Sequence, residues 1–263
     1  MNKVQVVSWS KQDQIAKIVI NNPPVNVLSA DVLEQLNLVI NDIENDSEIK
    51  AVIITGEGDK VFVAGGDIKG FPEWMGQGVE EAKRKSLWLQ GPLNKIESLS
   101  RPTIAAINGV ALGGGCELAL CCDIRIAEEQ IKIGLPEIKL GLFPGAGGTQ
   151  RLPRLVGKAK AKEMIFTGEP LTAAEAKQIG LVNHVVPRGK SFEKALKLAT
   201  SISRFSLPAL SFAKRAIDIG YEQPLQEGLV TEAENFGHVF QTNDVKEGVE
   251  AFIQKREPKF TDR

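Results

Sequence analysis

Residues 103–123 read TIAAINGVALGGGCELALCCD. The stretch opens on an apolar, β-branched run after Pro102, passes through Gly113, Gly114 and Gly115, and closes on an apolar helical pattern. A continuous apolar run bounded by turn residues suits a strand covered on both faces. Consecutive glycines before a helix bare the backbone N–H groups at its N-terminus, where the dipole also favours negative charge. The neighbouring sequence repeats the arrangement. VFVAGGDIKG (61–70) puts Gly65 and Gly66 after another short apolar run, and GLPEIKLGLFPGAGGTQRL (134–152) clusters glycines again. Strands that feed glycine turns and then helices indicate an α/β fold.

Working outward, VQVVSW (4–9) and IAKIVINN (15–22) read as paired strands, with the polar SKQDQ between them as a hairpin loop. A helix is expected from about Asp31 to Asn45, with Val32, Leu36, Val39, Ile40 and Ile43 on one face and Ser29 or Asp31 as N-cap. AVIIT (51–55) is a second strand covered on both faces, and DIRIA (123–127) and IKIG (131–134) are two more. Between residues 67 and 99 lie a loop holding Phe71, Trp74 and Met75, read as mobile, and a helix from Glu80 to Leu99. Beyond about residue 190 the strands stop, and helices are expected over 191–204, 208–220, 224–241 and 244–255. This divides the chain into a core with the active site, 1–190, and a helical region, 191–263. The helical region is too small and too amphipathic to bury a core alone, so it is expected to pack on the core or on another subunit.

Composition narrows the function classes. The 263 residues carry Lys+Arg 32 against Asp+Glu 33, a net charge of −1 that gives no electrostatic footprint for nucleic acid or an anionic membrane. No apolar run approaches the roughly 18 residues of a membrane span, and the start MNKVQVVSWSKQDQ lacks the pattern of a signal peptide. The two histidines and three cysteines show no metal-ligand spacing. Cys116, Cys121 and Cys122 read as buried, reduced thiols of a cytoplasmic protein.

The glycines invite a phosphate-binding reading, which fails on the residues. None of the three glycine segments contains Gly-Lys-Ser/Thr, and Gly56-Glu57-Gly58 is followed by Val61 where a dinucleotide fingerprint needs its third glycine. What remains is backbone N–H suited to a developing oxyanion, from two separate stretches that could converge on one carbonyl oxygen. Glu117 stands in the first helical turn inside an otherwise apolar sequence, as a cap or as a working acid. Glu137 follows Pro136 in a glycine-flanked loop, as an exposed loop charge or as a second acid. Two carboxylates beside bare backbone donors could hold and activate a water. His184, in LVNHVV, reads as a half-buried strand residue and His238 as a helix residue; no Gly-x-Ser-x-Gly elbow starts a serine triad.

With AGGDIK, GVALGGGCELALCCD and PEIKLGLFPGAGGTQRL in place, the sequence resembles the enoyl-CoA hydratase/isomerase (crotonase) superfamily, within it the short-chain enoyl-CoA hydratases. The likeness runs from NNPPVNVLS (21–29) to KREPKF (255–260). It implies a spiral of ββα units with C-terminal helices that build a trimer, or a dimer of trimers. Matched by motif, Gly66 and Gly114 would supply the oxyanion N–H groups, and Glu117 and Glu137 would be the paired acids. Gly145 would help set the catalytic water. Ala64, Gly65, Gly66, Asp67 and Ile68 would run along the coenzyme A, and Lys255 would reach its phosphate. The chain departs from many hydratases at Gly66, where they carry alanine, and residues 69–92 match no one member well.

The resemblance implies syn addition of water to a trans-2-enoyl-CoA, with coenzyme A as part of the substrate and no further cofactor or metal. Glu117 would activate the water and Glu137 handle the α-proton, roles that residue type alone leaves open. An isomerase of the same fold generally keeps one acid at these positions, so the pair argues for a hydratase. One relative binds RNA, which would need a basic face that this charge balance does not supply.

Overall fold

The computed structural model describes residues 4–262. Residues 1–3 and 263, which the expected core and helical region include, lie outside the described residues. The order of elements follows from how the chain distributes its short strands. Strands β1 (Val7–Gln12), β2 (Ile15–Ile20), β3 (Ala51–Gly56), β5 (Thr103–Ile107), β7 (Ile124–Glu128) and β10 (His184–Val186) form a six-stranded sheet in the order β1-β2-β3-β5-β7-β10. Strands β4 (Val61–Val63), β6 (Val110–Leu112), β8 (Lys132–Gly134) and β9 (Leu171–Thr172) form a four-stranded sheet in that order.

Successive turns of the chain thus give one strand to each sheet, β3 then β4, β5 then β6, β7 then β8, with helices between the pairs. β2-β3-β5-β7-β10 and β4-β6-β8 are parallel, while β1 and β9 pair antiparallel at the edges. The expected ββα spiral is present.

β3 shows why this sheet reads as apolar runs. Val52 and Ile54 enter the main core with α1 (Ala30–Asn45), while Ala51 and Ile53 enter a second cluster under α7 (Ser191–Ile202), with Ala195 and Ala199. Alternate residues on a pleated strand face opposite sides, so a strand buried on both needs no polar residue. α1 is capped as expected, the Ser29 hydroxyl accepting from the Val32 N–H.

Several expected boundaries move. The first strand covers Val7–Gln12 rather than 4–9, so Ser10, Lys11 and Gln12 lie in it and the turn shrinks to Asp13 and Gln14. β1 is an edge strand in which, after Val7, only Trp9 reaches back to the core and the rest is exposed, so the polarity of its second half imitates a loop. β6 intervenes between TIAAI and the glycines, too short to register as a period in the sequence. The loop after residue 67 is a 3-10 turn, Ile68–Trp74, in which the Phe71 and Trp74 rings stack at 4.4 Å. It leads into α2 (Val79–Ser98).

Helices α3 (Gly114–Leu120), α4 (Gly148–Val156), α5 (Lys158–Thr167) and α6 (Ala173–Gln178) complete the portion before β10. After α7 come α8 (Leu207–Tyr221), α9 (Leu225–Val239) and α10 (Asn243–Gln254). The tail beyond α10 folds back: Asp244 accepts from the N–H groups of Thr261 and Asp262, and Asp262 pairs with buried Lys50 at 2.6 Å.

Candidate active site

β4, β6 and β8 are parallel neighbours, so their C-terminal ends open on one edge of the four-stranded sheet. Each end delivers one piece of the site. β4 runs into Ala64-Gly65-Gly66, β6 into Gly113-Gly114, and β8 into Leu135-Pro136-Glu137. The first piece is held by Leu28, whose N–H donates to the Gly65 carbonyl (2.8 Å) and whose carbonyl accepts from the Asp67 N–H (3.3 Å). That bridge skips the N–H of Gly66.

Gly113 makes the turn from β6 into α3 with φ +52°, a conformation that L side chains rarely adopt. Its N–H donates to the Gly134 carbonyl (2.9 Å), tying β6 to β8. α3 starts at Gly114, so the N–H groups of its first turn have no acceptor within the helix. A Cβ on Gly114 would stand 3.3 Å from the Gly66 nitrogen and 3.4 Å from the Gly65 carbonyl carbon. The two glycine backbones therefore lie against each other, with the Leu28 side chain beside them, its Cδ1 3.1 Å from the same Cβ position.

Glu117 projects from the first turn of α3 and is only 3% exposed. Its Oε1 accepts from the N–H groups of Ala146 and Gly148, both at 2.8 Å, at the N-terminus of α4. Burial pushes its pKa up, while the Gly148 and Ala146 bonds and the Arg151 charge pull the other way; the balance is upward.

Glu137 opens the 3-10 turn Glu137–Leu140, its Oε1 3.1 Å from where a Cβ on Gly113 would stand and its Oε2 buried without a partner. Burial pushes its pKa up to about 7; its own backbone N–H opposes the rise and the Glu117 charge adds to it. One carboxyl thus titrates near neutrality beside another held by two N–H groups. A coupled pair of this kind holds one proton over a range of pH and can take it at one end and give it at the other.

The remaining expected site residues fall in three groups. Ala64, Gly65, Asp67 and Ile68 line the chain on either side of Gly66. Ala64 donates to the Val25 carbonyl (3.2 Å), Asp67 caps the following turn through the Lys69 N–H (3.2 Å), and Ile68 is exposed. Gly145 precedes Ala146, and its carbonyl accepts from Ser86 Oγ (2.7 Å) and Gln90 Nε2 (3.0 Å). Lys255 lies apart: it ends α10 in a left-handed conformation and is exposed, next to the Arg256–Glu247 ion pair.

The side chains set aside in the sequence stay aside. Cys116, Cys121 and Cys122 are buried and unpaired, and burial pushes their thiols up, that of Cys122 to about 12. His184 is half-buried in β10, and His238 stacks on Phe212.

Sequence reasoning missed the residues that hold Glu117: Ala146, Gly148 and, through charge, Arg151. Their signal was the AGGT run (146–149), whose glycines open α4 as Gly113 opens α3. A cavity of about 1770 Å³ lies behind this wall between α2, α4 and α8; Ser86, Gly145 and Arg151 line it, while Glu117 and Glu137 do not.

The profile of the enoyl-CoA hydratase/isomerase family matches residues 10–263. A short-chain-enoyl-CoA hydratase of Clostridium acetobutylicum is 44% identical over 251 residues, 95% of each chain. A crotonyl-CoA hydratase of Syntrophomonas wolfei is 41% identical over 251 residues, again 95% of each. The crystal structure of an enoyl-CoA hydratase from Bacillus anthracis superposes with a TM-score of 0.92 at 41% identity, covering 98% of this chain and 100% of that one.

Proposed function

This chain belongs to the enoyl-CoA hydratase/isomerase family, and on that premise we propose that it reversibly adds water to trans-2-enoyl-CoA thioesters, giving 3-hydroxyacyl-CoA. The observation that carries the reading is the pair of carboxyls, Glu117 and Glu137, in unequal settings beside the bare glycine backbone.

In the proposed reaction the thioester carbonyl accepts from the N–H groups of Gly66 and Gly114. This draws electron density from the conjugated double bond and leaves the β-carbon electrophilic. Glu117, whose Oε1 accepts two N–H bonds that favour its charged form, takes a proton from water as the oxygen adds at the β-carbon. Glu137, with a pKa near 7, is the protonated partner and delivers its proton to the α-carbon on the same face. The proton count closes: one leaves water for Glu117, one leaves Glu137 for the product. The oxyanion of the intermediate is met by donors fixed before the reaction, each worth about 2.7–4 kcal/mol in comparable sites.

The same proposal assigns the coenzyme A to the strip Ala64, Gly65, Gly66, Asp67 and Ile68, its phosphate to Lys255, and the orientation of the water to the Gly145 backbone. It extends to assembly as a trimer or a dimer of trimers through the region after residue 190, supported by exposed Leu225, Phe236, Phe240, Phe252 and Ile253, and to a cytoplasmic location. No helix among the described residues is long and apolar enough to cross a membrane.

The test is to follow loss of the conjugated thioester with crotonyl-CoA, beside conversion of a 3-enoyl-CoA to its conjugated isomer. Hydration as the faster reaction supports the proposal. Isomerisation without hydration would replace it with the isomerase reading.

A further inference from the structure

Helix α2 carries Ser86, Gln90, Asn94 and Glu97 at spacings of four, four and three, which puts them along one face of the helix. All four reach the same short segment, residues 145–151. Ser86 Oγ (2.7 Å) and Gln90 Nε2 (3.0 Å) donate to the Gly145 carbonyl, and Gln90 also donates to Ser86 Oγ (3.2 Å). Asn94 and Glu97 hold the Arg151 guanidinium, Glu97 by both oxygens at 2.9 and 2.7 Å and Asn94 at 2.7 Å. Arg151 in turn donates to the Ala146 carbonyl (3.1 Å). Two successive carbonyls, those of Gly145 and Ala146, are thus gripped by one helix, the second through an arginine.

The other side of the same backbone faces Glu117. The peptide whose carbonyl Ser86 and Gln90 grip is the peptide whose N–H, that of Ala146, donates to Glu117 Oε1. The C=O and N–H of a trans peptide point in opposite directions, so fixing one aims the other. Gly148 supplies the second N–H to the same oxygen. Both bonds fall on Oε1, which leaves Oε2 outside them as the oxygen free to take a proton.

We propose that the polar face of α2 is a positioning device for Glu117: Ser86, Gln90, Asn94 and Glu97 set the 145–148 backbone so that its N–H groups converge on Oε1, fixing which oxygen of Glu117 meets water. The inference rests on the hydratase reading for its kinetic consequence but not for its geometry. The charged and titratable groups facing Glu117 are Arg151 of α4, Glu137 of the 3-10 turn, Cys116 on its own helix, and Cys121 just past that helix's end, whose thiol donates to the Glu117 carbonyl at 3.0 Å. Arg151 and Glu137 remain in the variant below, so a change in Glu117 reports the backbone grip.

The experiment is the double variant Ser86→Ala with Gln90→Ala, compared with wild type and with Ser86→Thr, which keeps the hydroxyl. With the N–H of Ala146 no longer aimed, the carboxylate of Glu117 loses support and its pKa rises. The acid limb of the pH–rate profile should therefore move to higher pH, and kcat should fall about 10- to 100-fold. KM for crotonyl-CoA should change less than about threefold, because the thioester donors are elsewhere. Ser86→Thr should recover most of the rate. A double variant with the wild-type acid limb and kcat overturns the proposal, as does an equal loss in Ser86→Thr.

A readout independent of turnover separates this from the reaction itself. Carboxyl NMR titration of Glu117, in a Glu137→Gln background and assigned by loss of its signal in Glu117→Gln, should give a higher midpoint in the double variant. An unchanged midpoint sinks the positioning role even in an active hydratase. A raised midpoint in a protein that does not hydrate enoyl-CoA sustains the grip and rejects the reaction.

Discussion

At the scale of single residues, the site separates what side chains do from what the backbone does. Glu117→Gln and Glu137→Gln should each cut hydration of crotonyl-CoA by at least about 10³-fold with thioester binding largely kept; near-wild-type turnover in either removes the two-acid mechanism. In the proposed reaction the pair works when it holds one proton, on Glu137 before hydration and on Glu117 after it. The pH profile of kcat/KM should therefore be a bell with the same limbs for hydration and dehydration, its alkaline side near pH 7 as the proton is lost. A rate that is flat from about pH 6 to 9 contradicts this. The proposed oxyanion donors should behave differently. A Cβ on Gly66 would meet only a Phe71 ring carbon, at 4.0 Å, so Gly66→Ala should be nearly silent. Gly114→Pro removes an N–H and should lower kcat about 10²–10³-fold, with thermal stability measured beside it to exclude a disturbed helix start. A folded, fully active Gly114→Pro protein would place the oxyanion hole elsewhere. Glu117 was legible because an acid inside GCELALCC has no ordinary reason to be there. Ser86, Gln90, Asn94 and Glu97 were not, because a polar stripe on a helix reads the same whether it faces water or a loop of the same chain.

At the scale of elements, legibility followed length and burial. β3 and β5, buried on both faces, declared themselves as apolar runs, and α1 by its stripe and its Ser29 cap. β4, β6 and β8, which position the site, have three residues each and gain their identity only from their neighbours in the sheet. The C-terminal tail was silent as well, since its structure is made by distant partners. Lys50, 4% exposed in its side chain, meets Asp262 and also donates to the Phe205 carbonyl, while Asp262 accepts from the Leu207 N–H at the start of α8. Removing one partner of a buried pair leaves the other charge uncompensated. Asp262→Ala should therefore destabilise the protein by about 3 kcal/mol in chemical denaturation, whereas Lys11→Ala, at an exposed pair with Asp46 and Glu48, should cost less than about 1 kcal/mol. Equal effects would mean that the tail is not held by this contact.

At the scale of the whole molecule, the region of α8, α9 and α10 leaves Ile217, Leu225, Phe236, Phe240, Phe252 and Ile253 exposed, apolar side chains of the kind the proposed assembly would cover. Light scattering should find three or six times 28.6 kDa, and a stable monomer at micromolar concentration would refute the assembly. The spiral has a temporal side. β4, β6 and β8 pair Val63 with Ala111 and Leu112 with Gly134, and Glu117 meets Ala146 and Gly148 across separations of 29 and 31 residues. These contacts, which build the candidate site, are thus remote in sequence, and remote contacts carry the largest loop-closure cost and form slowly. Helical signal should return early in refolding and catalytic turnover late, and on the ribosome no competent site exists until α4 has been made. The enzyme's activity is in this sense a clock for its own completion.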